Sequence, residues 1–185
     1  MEALQIEEYY TYADYCDWSD EERWELIDGV PYSMVPGSSQ AHQTVSGSLF
    51  YQLYNYLEGK PCKVIAAPFD VRLNASTYDD TVVQPDILVV CDDDKLDGKS
   101  CVGAPDLIIE ILSPATALKD KTIKFNVYQE AGVREYWIVD PEGKTVSANT
   151  LENGRYNDVS YTAADKAPVH VLEGCFVDLE KVFGG

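Results

Sequence analysis

Residues 105–141 read PDLIIEILSPATALKDKTIKFNVYQEAGVREYWIVDP, and this stretch decides the fold. DLIIEIL is an apolar run of the kind expected for a strand covered on both faces. The Ser-Pro pair that follows favours the start of a helix, capped by Ser113 or Thr116 and running to about Glu130. REYWIVD then predicts a second strand.

The sequence before this stretch predicts a hairpin, a helix and three strands. WELIDGVPYSMV turns at Asp-Gly, which favours short antiparallel strands near residues 23–28 and 31–35. After the loop PGSSQ, apolar residues recur at helical spacing in AHQTVSGSLFYQLYNYLEG. CKVIAAP, FDVRLNA and the longer VVQPDILVVCDD follow as strands. Pro85 keeps the last of these at an edge, at a strand start or beside a bulge.

The sequence after Pro141 predicts smaller elements. TVSANTL, GRYNDVSYT and APVHVLEG are interpreted as antiparallel strands, the last containing a structural His170, and DLEKVF as a short helix. The order of elements predicts an α+β, or mixed α/β, fold. We expect a single domain over residues 1–185, with a core at about 20–142 and the C-terminal strands and short helix at 143–185.

Composition limits the possible classes of protein. A chain of 185 residues with 45% hydrophobic residues is long enough for one sizeable core. The 14 basic and 32 acidic residues give a net charge of −18, which repels a polyanion at long range, although a local basic strip acts within a Debye length of roughly 8 Å. No apolar run approaches the roughly 20 residues of a membrane helix, and MEALQIEEYY lacks the features of a signal segment. We therefore expect a cytoplasmic protein that does not bind a membrane.

The cysteines carry no recognisable pattern. They are five in number, widely scattered and without a CxxC pair: Cys16, Cys62, Cys91, Cys101 and Cys175. This argues against a disulfide framework and against a zinc cluster.

Two acids stand at strand positions where an acid is costly. Asp86 begins the apolar run DILVV, and Glu110 interrupts LIIEIL. An acid buried in a strand needs a charge, a metal or hydrogen bonds, so the two acids need a partner, and a shared divalent cation is the simplest. Two alternatives remain: Asp86 could cap a turn, and a buried pair with Arg134 or Lys124 would explain Glu110 without a metal.

The predicted helix contains a lysine, Lys124, that is a candidate partner for these acids. Asp120, Lys124 and Tyr128 are four residues apart and therefore share one helix face. If that face lies over the C-terminal end of the preceding strand, the ammonium group of Lys124 can reach the acids.

These motifs together resemble those of the Uma-type restriction endonuclease family, within the PD-(D/E)XK nuclease superfamily. The resemblance is carried by ELIDG at 25–29, a His at 42 after a Ser-rich loop, QPDILVV at 84–90, PDLIIEILSPAT at 105–116, D-x-x-x-K at 120–124 and AGVREYWIVDP at 131–141. It covers nearly the whole chain and implies a restriction-endonuclease-like core, in which helices flank a central mixed sheet.

The resemblance also implies a metal site. Asp86 and Glu110 would hold one or two Mg²⁺ or Mn²⁺ ions, with the backbone carbonyl of Ile111 as a further ligand. Glu25 would be an additional ligand or hold a metal-bound water, and His42 would line the site. Hard carboxylate oxygens suit these cations, so the chemistry agrees with the resemblance.

One position departs from the superfamily pattern. The pattern places a lysine two residues after the glutamate, where this chain has Leu112. The family commonly supplies that lysine from the following helix, which makes Lys124 the candidate to orient or deprotonate water. Lys121 and Lys119 are the alternatives.

The predicted function is hydrolysis of DNA phosphodiester bonds by a metal-dependent endonuclease. A homodimer is expected by analogy with restriction enzymes that cut two strands. The alternative is a non-catalytic protein-interaction module that retains the nuclease fold, and a third possibility is hydrolysis of another phosphate ester.

Overall fold

The computed structural model describes residues 8–18, 22–34 and 39–184. In chain order its elements are α1 (Tyr12–Tyr15), β1 (Trp24–Ile27), β2 (Val30–Ser33), α2 (Gln40–Leu57), β3 (Lys63–Ala66), β4 (Asp70–Arg72), β5 (Val82–Val83), β6 (Ile87–Val90), a 3-10 turn (Asp93–Lys95), β7 (Ser100–Val102), β8 (Leu107–Ile111), α3 (Ala117–Lys119), a π-helical turn (Asp120–Lys124), α4 (Phe125–Ala131), β9 (Glu135–Asp140), β10 (Thr145–Glu152), β11 (Arg155–Thr162), β12 (Lys166–Pro168), β13 (Phe176–Asp178) and α5 (Leu179–Phe183).

The strands form two larger mixed sheets and one small one. The six-stranded sheet has the order β11-β10-β9-β8-β6-β3, and only its β8–β9 pair is parallel. The five-stranded sheet has the order β2-β1-β5-β4-β7, with a parallel β4–β7 pair, and β12 pairs with β13. The predicted mixed α+β class is confirmed.

Strand β8 is buried on both faces, as its apolar sequence predicts. Leu107, Ile109 and Ile111 belong to the core cluster that includes the buried face of α2. Ile108 and Leu112 belong to a second cluster, with residues of α4, β9 and the five-stranded sheet. Because side chains alternate along a strand, Glu110 points toward this second layer.

The predicted hairpin and long helix are both confirmed. Asp28 and Gly29 have φ angles of 50° and 75°, as the turn favoured in two-residue hairpins requires at both central positions. Strand β2 ends at Ser33, and residue 35 of the predicted strand lies outside the described residues, as do residues 36–38 of the loop before α2.

The predicted long strand VVQPDILVVCDD is wrong as one element. Val82 and Val83 form β5 in the five-stranded sheet, whereas β6 begins at Ile87 in the six-stranded sheet. Pro85 lies between them and has no N–H to continue a ladder, so the chain changes sheets at this point. Strand β7 was also missed, because its residues lie in a stretch whose charges and glycines resemble a loop.

The helix after β8 starts at one of the two predicted caps, because Thr116 is its N-cap residue. Ser113 and Thr116 bond each other in the preceding turn, and helical structure begins at Ala117. A π-helical turn from 120 to 124 interrupts it. It ends at Ala131, close to the predicted end near Glu130, and Gly132, with a φ of 85°, forms a left-handed C-terminal cap.

The C-terminal segment differs from the prediction in two strands, because β13 (Phe176–Asp178) was not predicted and the strand before it is shorter than expected. APVHVLEG is not a continuous strand, because β12 ends at Pro168 and His170 lies in the turn before β13. The prediction that His170 lies in a strand is wrong. Strands β10 and β11 and helix α5 agree with the prediction.

Two cysteines pair, contrary to the sequence-based expectation. Cys62 and Cys91 form a disulfide with Cα atoms 3.9 Å apart, while Cys16, Cys101 and Cys175 are free. The antiparallel pairing of β3 with β6 places Lys63 opposite Val90, so the flanking cysteines face each other. Their spacing in the sequence does not reveal this pairing.

A membrane-spanning helix was not expected. Among the described residues, no helix is long and apolar enough to cross a bilayer.

Glu135, at the start of β9, connects the turn after β12 to the six-stranded sheet through hydrogen bonds. It is 0% exposed, and its carboxylate accepts hydrogen bonds from Trp137 Nε1 at 2.7 Å and from the Val171 backbone N–H at 2.9 Å. Glu135→Ala leaves the buried Trp137 N–H and the partly buried Val171 N–H without this partner. We expect it to lower the free energy of unfolding by about 2–4 kcal/mol in urea denaturation. Glu142→Ala, at an exposed turn, is the matched control, and equal stability of the two variants would contradict this role of Glu135.

Candidate active site

The predicted site residues converge on one cleft. Glu25, His42, Asp86, Glu110, Ile111 and Lys124 all line this cavity of about 580 Å³, although they come from β1, α2, the β5–β6 connection, β8 and the π-helical turn. Lys119 also lines it, whereas Lys121 is exposed and lies outside the lining. The structure therefore brings Lys124 and Lys119, but not Lys121, to the acids.

Glu110 lies at the buried end of the cleft. Its Oε1 accepts hydrogen bonds from Lys124 Nζ at 2.6 Å and from the Tyr128 hydroxyl at 2.7 Å. The shared helix face predicted for Asp120, Lys124 and Tyr128 is thus confirmed for the two residues that contact Glu110. Of the two predicted cationic partners, Lys124 binds Glu110, while Arg134 binds Asp106 at 3.0 Å.

Glu25 contacts two lysines and the connection between β5 and β6. Its Oε1 is 2.6 Å from Lys124 Nζ, and its Oε2 is 2.6 Å from Lys119 Nζ. The backbone N–H of Gln84 also donates to Oε1, at 3.0 Å. Burial opposes ionisation of this carboxyl, but the charges of Lys124 and Lys119 outweigh burial and lower its pKa.

The other acids and the lysine are shifted differently. Burial raises the pKa of Glu110 to about 8, against the opposing effect of Lys124, and burial also raises the pKa of Asp120. Burial alone would lower the pKa of Lys124, but the negative charges of Glu110, Glu25 and Asp120 raise it above its ordinary value. The raised pKa favours the protonated form of Lys124 near neutral pH.

Asp86 is held beside the end of β8. Its Oδ2 accepts a hydrogen bond from the backbone N–H of Ile111 at 2.8 Å, and His42 Nε2 lies 3.3 Å from the same oxygen. Asp86 raises the pKa of His42, with burial acting in the opposite direction. His42 is placed by the first turn of α2, where Ser39 Oγ accepts a hydrogen bond from the His42 backbone N–H at 3.2 Å.

The π-helical turn decides where Lys124 points. A π turn contains more residues per turn than an α-helix and is frequent at functional sites. The Tyr136 hydroxyl, from the neighbouring strand β9, donates to the Asp120 carbonyl at 3.0 Å. This bond holds the start of the turn against the sheet, with Lys124 over Glu110.

Removing the Tyr136 hydroxyl should loosen this turn. We expect Tyr136→Phe to lower the free energy of unfolding by about 1–2 kcal/mol, because the buried carbonyl of Asp120 loses its donor. Urea denaturation measures the effect. Tyr161→Phe, a half-buried tyrosine on β11, is the control, and equal losses in the two variants would show that the bond is not important for the turn.

Sequence reasoning missed several contributors to the cleft. Gln84, Arg23 and Tyr32 line it, and the Tyr128 hydroxyl bonds Glu110 beside Lys124, a contact that the shared helix face alone does not predict. Gln84 carried one usable signal, since it is the polar residue that begins the motif QPDILVV directly after an apolar pair. Apart from Glu25, the hairpin side chains that line the cleft were found only through the tertiary structure.

The donor set fits a hard divalent cation. Asp86 and Glu110 share the cleft with the end of β8, and carboxylate and carbonyl oxygens are ligands that Mg²⁺ and Mn²⁺ prefer. The negative charge of Asp86 contributes to the raised pKa of Glu110, and a cation between these groups would relieve this repulsion. Across residues 8–18, 22–34 and 39–184, no cluster of three or more His, Cys, Asp or Glu side chains is arranged around a metal position. The fit therefore rests on two side chains and a backbone oxygen.

This protein shares its fold with a solved structure and belongs to a known family. The fold is that of a crystal structure described as a putative nuclease belonging to DUF820 from Anabaena variabilis, with a TM-score of 0.76, 17% identity and coverage of 95% of this chain and 98% of that one. The chain belongs to the Uma2 family, described as "Putative restriction endonuclease", whose model matches residues 6–180. The resemblance found in the sequence is thus confirmed.

A relative among curated proteins gives no further activity. The uncharacterized protein slr1290 of Synechocystis is 26% identical over 158 residues, which covers 83% of this chain and 80% of the relative.

Proposed function

We propose that this protein is a metal-dependent endonuclease that hydrolyses DNA phosphodiester bonds in the cleft. The observation that carries this proposal is the convergence of Asp86, Glu110 and Lys124 from three elements that are separate in sequence. Membership in a restriction endonuclease family and the nuclease fold both support a nuclease.

Asp86, Glu110 and the backbone carbonyl of Ile111 would hold Mg²⁺ or Mn²⁺. When bound, such a cation supplies Lewis-acid polarisation of the phosphodiester and makes a water molecule more acidic. The hydrogen bond from the Ile111 N–H and the neighbouring His42 orient the Asp86 carboxylate.

Lys124 would stabilise charge rather than accept a proton. Its raised pKa keeps the ammonium group protonated, so it suits the negative charge that develops on phosphate in the transition state. Of the two roles predicted from the sequence, the pKa favours orientation of water over its deprotonation. Glu25 would position Lys124 and Lys119 through its two oxygens.

Three further features of the protein belong to the proposal. We infer a single domain over residues 1–185, a cytoplasmic location, and a homodimer by analogy with enzymes that cut both DNA strands.

The alternative is a non-catalytic interaction module. The ion pair of Glu110 with Lys124 favours this alternative, because it compensates the buried acid without a metal. Asp86 favours the nuclease, since it is also turned to the same cleft and lies near His42 rather than near a lysine.

Metal-dependent cleavage tests the proposal. Supercoiled plasmid and a labelled single strand are incubated with Mg²⁺ or Mn²⁺ at low salt, with EDTA as the metal-free comparison. We expect cutting by the native protein that is lost in EDTA and lost in Asp86→Asn purified identically. Asp158→Asn, at an exposed position on β11, is the matched control and should cut normally. Failure of the native protein to cut either substrate with either metal would favour the interaction module.

A further inference from the structure

The β1–β2 hairpin forms one wall of the cleft. Glu25 pairs with Tyr32 across the hairpin, and the Met34 N–H donates to the Arg23 carbonyl at 2.9 Å. Side chains alternate along both strands, so Arg23, Glu25, Tyr32 and Met34 lie on one face, and all four line the cleft. Glu25 is buried, whereas Arg23 is exposed at the outer end.

Arg23 is oriented by a neutral group. Its Nε and Nη2 donate to Gln84 Oε1 at 3.0 and 2.5 Å. The Gln84 amide nitrogen in turn donates to the Tyr15 hydroxyl at 3.0 Å and to Asp70 Oδ1 at 2.9 Å. Because the amide oxygen that holds Arg23 carries no net charge, the guanidinium group keeps its positive charge for another partner. A planar, charged and partly fixed guanidinium suits a phosphate group.

Tyr32 and Met34 lie on the same wall as Arg23. Both side chains are partly exposed. Aromatic faces stack on nucleobases, and a thioether adapts to flat apolar surfaces. The wall thus combines a cation for a phosphate with an aromatic and a thioether group for a base.

Among the described residues, the two lysines that line the cleft are already paired. Lys119 binds Glu25, and Lys124 binds Glu25 and Glu110. The chain as a whole carries a net charge of −18. A duplex presents phosphates on two strands, which favours proteins with several unpaired cations, and it hides its base faces in the stack. An unpaired strand has half the charge per unit length and exposes its bases.

We propose that the cleft takes an unpaired DNA strand, in which Arg23 binds a backbone phosphate beside the bond to be cut and Tyr32 with Met34 contacts the adjacent base. This inference rests on the proposed nuclease function and specifies its substrate class. It assigns binding roles to Arg23, Tyr32 and Met34, and a positioning role to Gln84.

Binding measured without a metal tests this substrate class separately from cleavage. Fluorescence anisotropy in EDTA compares a labelled single strand with the duplex of the same sequence. We expect the single strand to bind at least about tenfold more tightly than the duplex. Arg23→Gln and Tyr32→Ala should each weaken single-strand binding by about tenfold, whereas Tyr32→Phe should retain it.

Two remote variants are matched to these changes. Arg155→Gln removes an exposed arginine at the start of β11, and Tyr51→Ala removes a tyrosine that is 66% exposed on α2. Neither residue lines the cleft, so both variants should bind the single strand like the native protein. A loss as large in Arg155→Gln as in Arg23→Gln would indicate general electrostatics and overturn the assignment of Arg23.

The results separate this inference from the proposed function. Equal or tighter binding of the duplex would overturn the unpaired substrate, while metal-dependent cutting of plasmid would still support the nuclease. Single-strand binding that depends on Arg23 and Tyr32, without cleavage in Mg²⁺ or Mn²⁺, would support the binding site and overturn the nuclease.

Discussion

Glu110→Gln should lower the rate of metal-dependent DNA cleavage by about 10³-fold or more, because it removes a carboxylate ligand from a cation that contributes several kcal/mol to transition-state stabilisation. The amide oxygen of glutamine can still accept the hydrogen bonds from Lys124 and Tyr128. Glutamine also has the same shape as glutamate, and burial of this site opposes a negative charge there, as the raised pKa of Glu110 indicates. We therefore expect the variant to remain folded.

The measurement is single-turnover cleavage in Mg²⁺, accompanied by thermal unfolding of each protein. Glu130→Gln, an exposed glutamate at the end of α4, is the matched control and should cut like the native protein. Unchanged cleavage by the Glu110 variant would overturn the assignment of the metal site, whatever the outcome for Asp86.

Lys124→Met should be strongly destabilising as well as inactive. Lys124 is 3% exposed, and its ammonium group lies 2.6 Å from both Glu25 and Glu110 and 3.9 Å from Asp120. Removing one partner of a buried ion pair leaves uncompensated charge and costs about 3–5 kcal/mol. We expect a loss of this size in the free energy of unfolding, measured in urea.

Two further variants test this role of Lys124. Lys121→Met, on the exposed side of the same π-helical turn, is the control and should unfold like the native protein. Adding Glu25→Gln to Lys124→Met should recover part of the lost stability, because it removes one of the orphaned charges. Additive losses in the double variant would show that the two residues are not coupled.

Much of the candidate site was accessible from the sequence, because an acid inside an apolar strand is conspicuous. Glu110 and Asp86 were recognised this way, and helical spacing selected Lys124. The resemblance to a nuclease family added Glu25 and His42, whose own sequence surroundings are unremarkable. All five line the same cleft, while their catalytic and metal-binding roles stay predictions.

The errors have a common physical cause. The sheet change at Pro85, the turn that contains His170 and the Cys62–Cys91 pairing all depend on which strands become neighbours. Propensity and periodicity describe the conformation of a segment, but they do not state its partner in a sheet.

The sequence by itself determined the α+β class, the strands and helix around Glu110, and the family. These features depend on the spacing of apolar residues and on local turn residues, which can be read directly from the sequence. Only the tertiary structure decided the electrostatics of the cleft. It placed Lys124 between Glu25 and Glu110, and it placed Arg23 beside Tyr32 with a hydrogen bond to Gln84. Burial and distance fix the charge state of each group, and both arise only when segments far apart in sequence pack together.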